Sequence, residues 1–142
     1  MALTADKRDY RKGFNRNAAA YRKLADKESY TKRLLLFYSV ECGLKYMLLD
    51  KWGYLSTTQA SSRSLQEKLL KSHNLNSILK ELGYQGMISF PVIKTVHGQE
   101  AGIAEYHQLC RYGIATDDLQ YEKELELEKN LKETWKWLLE RI

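Results

Sequence analysis

The sequence predicts an all-α fold, an antiparallel bundle of four long helices plus a shorter one. Three observations predict it. The 142 residues include one proline, Pro91, and eight glycines, too few breakers for a turn-rich β fold. Near the end of the chain Leu127, Leu131, Trp135, Leu138 and Ile142 step by 4, 4, 3 and 4, the repeat of one helix face. The run RLLLFYSVECGLKYMLLDKW at 33–52 is apolar on more than one side. Such a helix lies at the centre of a bundle or has one face covered by a partner.

Residues 4–26 predict a first helix, capped by Thr4 with Asp6 favourable in its first turn. Tyr10, Phe14, Tyr21 and Leu24 share a stripe with Ala18 between them; Lys7, Arg8, Arg11, Lys12, Arg22 and Lys23 fill the rest. Residues 30–52 predict the second helix, with Ser29 as cap and Gly53 as stop. Glu41 and Lys45 have the spacing and order of a favourable ion pair. Gly43 costs about 1 kcal/mol relative to alanine inside a helix, which suggests a close crossing. The stretch 54–64 is small and polar and reads as a loop, followed by a short helical turn at Leu65 to Leu70. In SHNLNSILKELG (72–83) Ser72 or Asn74 can cap a helix whose stripe is Leu75, Ile78, Leu79 and Leu82, ended by Gly83. Residues 84–99, with FPVIKTVHG, predict an extended segment or short hairpin. A further helix is expected over 100–115, with Ile103, Tyr106 and Cys110 on one face. Thr116, Asp117 and Asp118 begin the last helix, whose stripe Leu125 and Leu139 widen.

Length and composition suit one domain over residues 1–142. The apolar fraction is 44% and the charged fraction 29%, ordinary for a soluble globular protein. No apolar run nears the ~18 residues of a membrane span, and the charged beginning lacks a signal core. A cytoplasmic protein without membrane association is expected. Cys42 and Cys110 are then expected as buried free thiols. They form no CxxC pattern, so no metal site or cofactor is predicted. GxxxxGK, GxGxxG and a serine nucleophile elbow are all absent. The net charge of +5 is uneven. Residues 1–33 carry ten Lys or Arg against four Asp or Glu, while 117–142 carry five against eight. The basic first helix suits nucleic acid, an acidic partner or plain solvent.

The sharpest candidate site lies in EYHQLCRYGI (105–114). His107 and Arg111 are four apart and share a helix face. Arginine offers a planar fork of donors to phosphate oxygens. A histidine near neutrality moves a proton to or from a ribose hydroxyl or leaving oxygen. The pair suits a metal-free ribonuclease or a nucleotide pocket; alternatively, Arg111 pairs with Glu105, Glu41 or an acid of the last helix. His73, at a helix start, can cap, pack or bond a neighbouring helix. His97 reads as solvent-exposed. Tyr10, Tyr21, Tyr38 and Tyr46 read as core packing with hydroxyls at the rim.

Three segments taken together, YSVECGLKYMLLDKWGY (38–54), SHNLNSILKELG (72–83) and EYHQLCRYGI (105–114) before a final amphipathic helix, resemble the HEPN family of small helical bundles. Glu41, Leu44, Lys45, Leu48 and Leu49 match its early helix. His73, Leu75, Leu79 and Leu82 match the later H-x-L pattern, and Arg111 with Tyr112 matches the Arg-Tyr ending. The resemblance implies a bundle that dimerises near the Arg-bearing helix. Many members are metal-independent ribonucleases of toxin–antitoxin or antiviral systems, marked by an arginine followed four to six residues later by a histidine. This sequence departs from that pattern, with His107 preceding Arg111. Members without the signature act as binding or scaffolding modules. The resemblance therefore implies nucleotide or RNA binding through Arg111, Tyr112, His107, His73 and Lys45. The expected form is a homodimer or a subunit of a larger prokaryotic assembly. The alternatives are a ribonuclease with a rearranged His107–Arg111 site and a protein-interaction module docking through the apolar excess of residues 34–49.

Overall fold

The computed structural model describes residues 4–24, 29–84, 88 and 90–142. Six α-helices are present among them: α1 (Lys7–Lys23), α2 (Tyr30–Trp52), α3 (Leu65–Lys71), α4 (Leu75–Glu81), α5 (Tyr106–Tyr112) and α6 (Tyr121–Leu139). A two-stranded antiparallel hairpin, β1 (Ile93–Lys94) and β2 (Glu100–Ala101), precedes α5. The fold is mostly helical, as the sequence predicts, but three helices are long and three have seven residues each.

The first helix starts later than expected. Residues 5–7 run alongside 55–57: Lys7 N donates to the Leu55 carbonyl at 2.8 Å, and Thr57 N donates to that of Ala5 at 2.9 Å. Backbone committed to that pairing is extended, so Thr4 does not cap. Asp6 does, in a reciprocal box with Asp9. The helix ends at Lys23; residues 25 and 26 of the predicted span lie outside the described residues. For α2, the cap at Ser29 and the left-handed stop at Gly53 (φ 69°) are as read.

Central placement explains the all-round apolar character of α2. It packs against α1, α4, α5 and α6, and no residue from 34 to 49 is exposed. Phe37, Val40, Leu44, Leu48 and Leu49 are fully buried among Phe14, Leu75, Ile78, Ile93, Leu109, Leu127, Leu131 and Leu138. At Gly43 a Cβ would sit 2.7 Å from Phe14 Cδ1 and 2.8 Å from Leu138 Cδ1. Gly43 is thus where α1 and α6 both close on α2.

The predicted helix over 100–115 is shorter. Ile93 pairs with Ala101 and Lys94 with Glu100, the chain turning at Gly98 (φ 77°). Ile93 and Ala101 both face the core, and this burial holds the segment as a strand. Of the 84–99 stretch, residues 85–87 and 89 lie outside the described residues. The last helix starts at Tyr121, because Thr116 bridges to Thr95 and a 3-10 turn follows at Asp118–Gln120. Its expected stripe holds at Leu127, Leu131 and Leu138, all fully buried, but is not widened as expected. Leu125 and Leu139 are exposed, at 39% and 50%, while Glu124 and Glu128 are buried. Arg33 lies 3.5 Å from Glu124 and 3.4 Å from Glu128, and Lys32 lies 3.6 Å from Glu128. Tyr30 and Thr116 hydroxyls donate to Glu124 at 3.3 and 3.2 Å. Two cations and two carboxylates balance inside the α2–α6 seam, the condition under which charge tolerates burial.

Cys110 is buried and Cys42 half-buried, both as free thiols; a wholly buried Cys42 was expected. Among the described residues no helix is long and apolar enough to cross a membrane.

Candidate functional site at the junction of α2, α4 and α5

On α2, Tyr38, Glu41 and Lys45 are three and four residues apart and so share a face. Glu41 and Lys45 are buried, with 3.5 Å between Lys45 Nζ and Glu41 Oε1. His73 reaches the same carboxylate from the turn before α4. Ser72 Oγ accepts from Asn74 N, and the Asn74 side chain caps α4 by accepting from the amides of Asn76 and Ser77. With Asn74 as cap, His73 points to α2, its Nδ1 2.5 Å from Glu41 Oε1. A carboxylate accepts, so the Nδ1 of His73 carries the hydrogen.

From α5, His107 lies against His73, with ring centroids 4.0 Å apart and planes at 33°. Phe37 stacks on it at 6.0 Å and 19°. His107 is 6% exposed, and its buried Nδ1 makes no well-formed hydrogen bond. Burial lowers its pKa from the ordinary histidine value. The charge of His73 and, less so, of Arg111 adds to this, while Glu41 and the Ala104 backbone oppose it. The balance favours the neutral form of His107.

Arg111, one turn on, is exposed and donates to the Tyr38 hydroxyl. None of the acids considered from sequence holds it. Glu105 instead accepts from Gly102 N at 3.1 Å, Glu41 is taken by His73 and Lys45, and Glu124 and Glu128 by Arg33 and Lys32. Tyr38 and then Tyr112 favour its charged form. Tyr112 is 67% exposed, and Gly113 (φ 61°) ends the helix beside it.

The five residues read from sequence therefore divide into two levels. Lys45 and His107 form a sealed floor with Glu41; His73, Arg111 and Tyr112 form a reachable rim. His97 is exposed, as read. Sequence reasoning missed Tyr38 as the partner of Arg111 and Glu41 as the hub, although positions 38, 41 and 45 on one helix face were a usable signal. No family model, no curated protein and no solved structure matches the chain. The site is read from its own geometry. Among the described residues no group of three or more His, Cys, Asp or Glu side chains is arranged to hold a metal ion. One carboxylate faces two buried or half-buried bases and a lysine, with an arginine above. The arrangement is short of negative charge at its rim and suits an anionic group there.

Proposed function

We propose that the chain is a HEPN-like module that binds a nucleotide or RNA phosphate at the junction of α2, α4 and α5 without cleaving it. In this reading Arg111 is the anchor, His73 a second donor, and Tyr112 a ring beside the bound group. Lys45 and His107 shape the floor. One observation carries it: the Arg111 guanidinium is exposed and held by a hydroxyl, not by a carboxylate. A neutral partner orients the fork without cancelling its charge. The setting, a homodimer or small subunit of a prokaryotic toxin–antitoxin or antiviral assembly, rests on the family resemblance alone.

The test is calorimetric titration with mononucleotides and short single-stranded RNA in the presence of a chelator. Arg111→Ala should lose about ten-fold or more in affinity, the ~1.5–3 kcal/mol of a charged hydrogen bond, while Glu105→Gln leaves it unchanged. Equal affinity in Arg111→Ala would refute the reading.

A second reading, a metal-independent endoribonuclease, is favoured by the close approach of the His73 and His107 rings, 4.0 Å between centroids and tilted at 33°. Two imidazoles side by side are a pair able to take and return a proton. Arg111 would then stabilise added charge on phosphate. Cleavage of total RNA in chelator, lost in His107→Ala, would establish it.

A further inference from the structure

A second charged surface lies on the outer face of α1 and shares no residue with the site above. The outward residues of α1 are 8, 9, 11, 12, 15, 16, 19, 22 and 23, all exposed. That set follows the three-and-four spacing of one helix face. Six of the nine are cations: Arg8, Arg11, Lys12, Arg16, Arg22 and Lys23. The single acid, Asp9, is turned back into the N-terminal capping box. None of the six joins an ion pair among the described residues; only Arg22 has a partner, lying over the Trp135 ring at 4.7 Å. Beside Arg22 the row widens, where Lys132 and Lys136 of α6 join it around a shallow groove of about 130 Å³ with no carboxylate in its lining.

We propose that this face of α1 is a binding surface for the phosphate backbone of double-stranded nucleic acid, read without regard to sequence. The charge is linear. Seventeen helical residues span about 25 Å at ~1.5 Å each, the axial length of roughly seven phosphates on one strand at ~3.4 Å. A protein partner would need an apolar centre to its interface, and the face has only Ala19. A membrane surface would need outward Trp, Phe or Leu side chains, and it has none. Single strands are held by aromatic rings on which bases stack. Tyr21 is buried, and Trp135 has Phe14 stacked on it at 5.9 Å and Arg22 over its ring. Neither ring is open to a base. What remains is a rigid rail of guanidinium and ammonium groups matched to a rigid row of phosphates.

The experiment is a fluorescence titration of the full chain with a short blunt duplex, and with one of its strands alone, across roughly 50–200 mM salt. The duplex should bind more tightly, with log affinity falling by about 0.9 per phosphate contacted for each decade of salt. Arg11→Gln/Arg16→Gln should reduce that slope by about 1.8, and Lys12→Gln/Lys23→Gln by the same amount; both pairs lie on an exposed helix face, and unchanged thermal melting would show that they fold. The titrations are repeated in an Arg111→Ala background, which removes the anchor of the proposed nucleotide site, and the slope reductions of both α1 double variants should persist there. The proposal is overturned if the slope does not move in either double variant. It is equally overturned if, in that Arg111→Ala background, the single strand binds as tightly as the duplex, or if polyglutamate or anionic vesicles displace the duplex at equal charge.

Discussion

At the scale of single residues, Glu41 holds the α2–α4–α5 junction together. It is 7% exposed and is the common partner of Lys45 and His73. Glu41→Gln leaves the Lys45 ammonium buried without a countercharge and should cost about 3–5 kcal/mol in denaturant unfolding. Glu41→Gln/Lys45→Met should recover most of that, since a hydrophobic chain of similar volume needs no partner. His107 makes a pH prediction. Its folded pKa lies below the ordinary histidine value, so the unfolded chain binds a proton first as pH falls. The stability it contributes is complete above about pH 6.5 and is lost as pH falls through the folded pKa. Thermal melts from pH 7 to pH 5 should therefore fall less steeply in His107→Gln than in the parent. Burial raises the thiol pKa of Cys42 to about 11 and of Cys110 to about 12. Both should be alkylated far more slowly at pH 8 in the native state than in denaturant, because the thiolate is the reactive form.

At the scale of elements, the glycines of α1 and α2 mark where helices meet. Gly43→Ala gains helix propensity of ~1 kcal/mol but drives a methyl into Phe14 and Leu138 at under 3 Å. Overpacking of this kind costs ~1–3 kcal/mol, so net destabilisation is expected in urea unfolding. Gly13→Ala, whose Cβ meets Cys42 Sγ at 2.6 Å, should also destabilise, and Cys42→Ala should relieve it. The crossing at Gly43 was legible in outline, for a glycine inside an apolar helix needs a packing reason; the one at Gly13 was not. Also legible were α2 and α4, where Ser29, Gly53, Asn74 and Gly83 stand at helix ends. Three boundaries were not legible. The starts of α1 and α6 are set by backbone pairing with segments distant in sequence, residues 55–57 and Thr95, while the start of α5 is delayed by the local hairpin of Glu100–Ala101 with Ile93–Lys94. Local propensity carries no information about such pairings. The exchange of Leu125 and Leu139 for Glu124 and Glu128 on the inner face of α6 has a similar origin. Only the position of Lys32 and Arg33 on α2 makes those carboxylates burial-compatible.

For the whole molecule, the candidate site was legible as residues and not as an arrangement. His107 with Arg111, and His73 with Lys45, followed from spacing and resemblance; that they meet around one glutamate needed the packing of three helices. The two charged surfaces, the α5 rim and the α1 rail, lie on helices that both pack on α2, whose residues from 34 to 49 are all at least half covered. A helix enclosed this way has no route to local opening. Amide hydrogens of residues 34–49 should therefore trade with deuterium only when the whole chain unfolds, with one common opening free energy. α3, which buries only Leu69 and Leu70, should exchange orders of magnitude sooner.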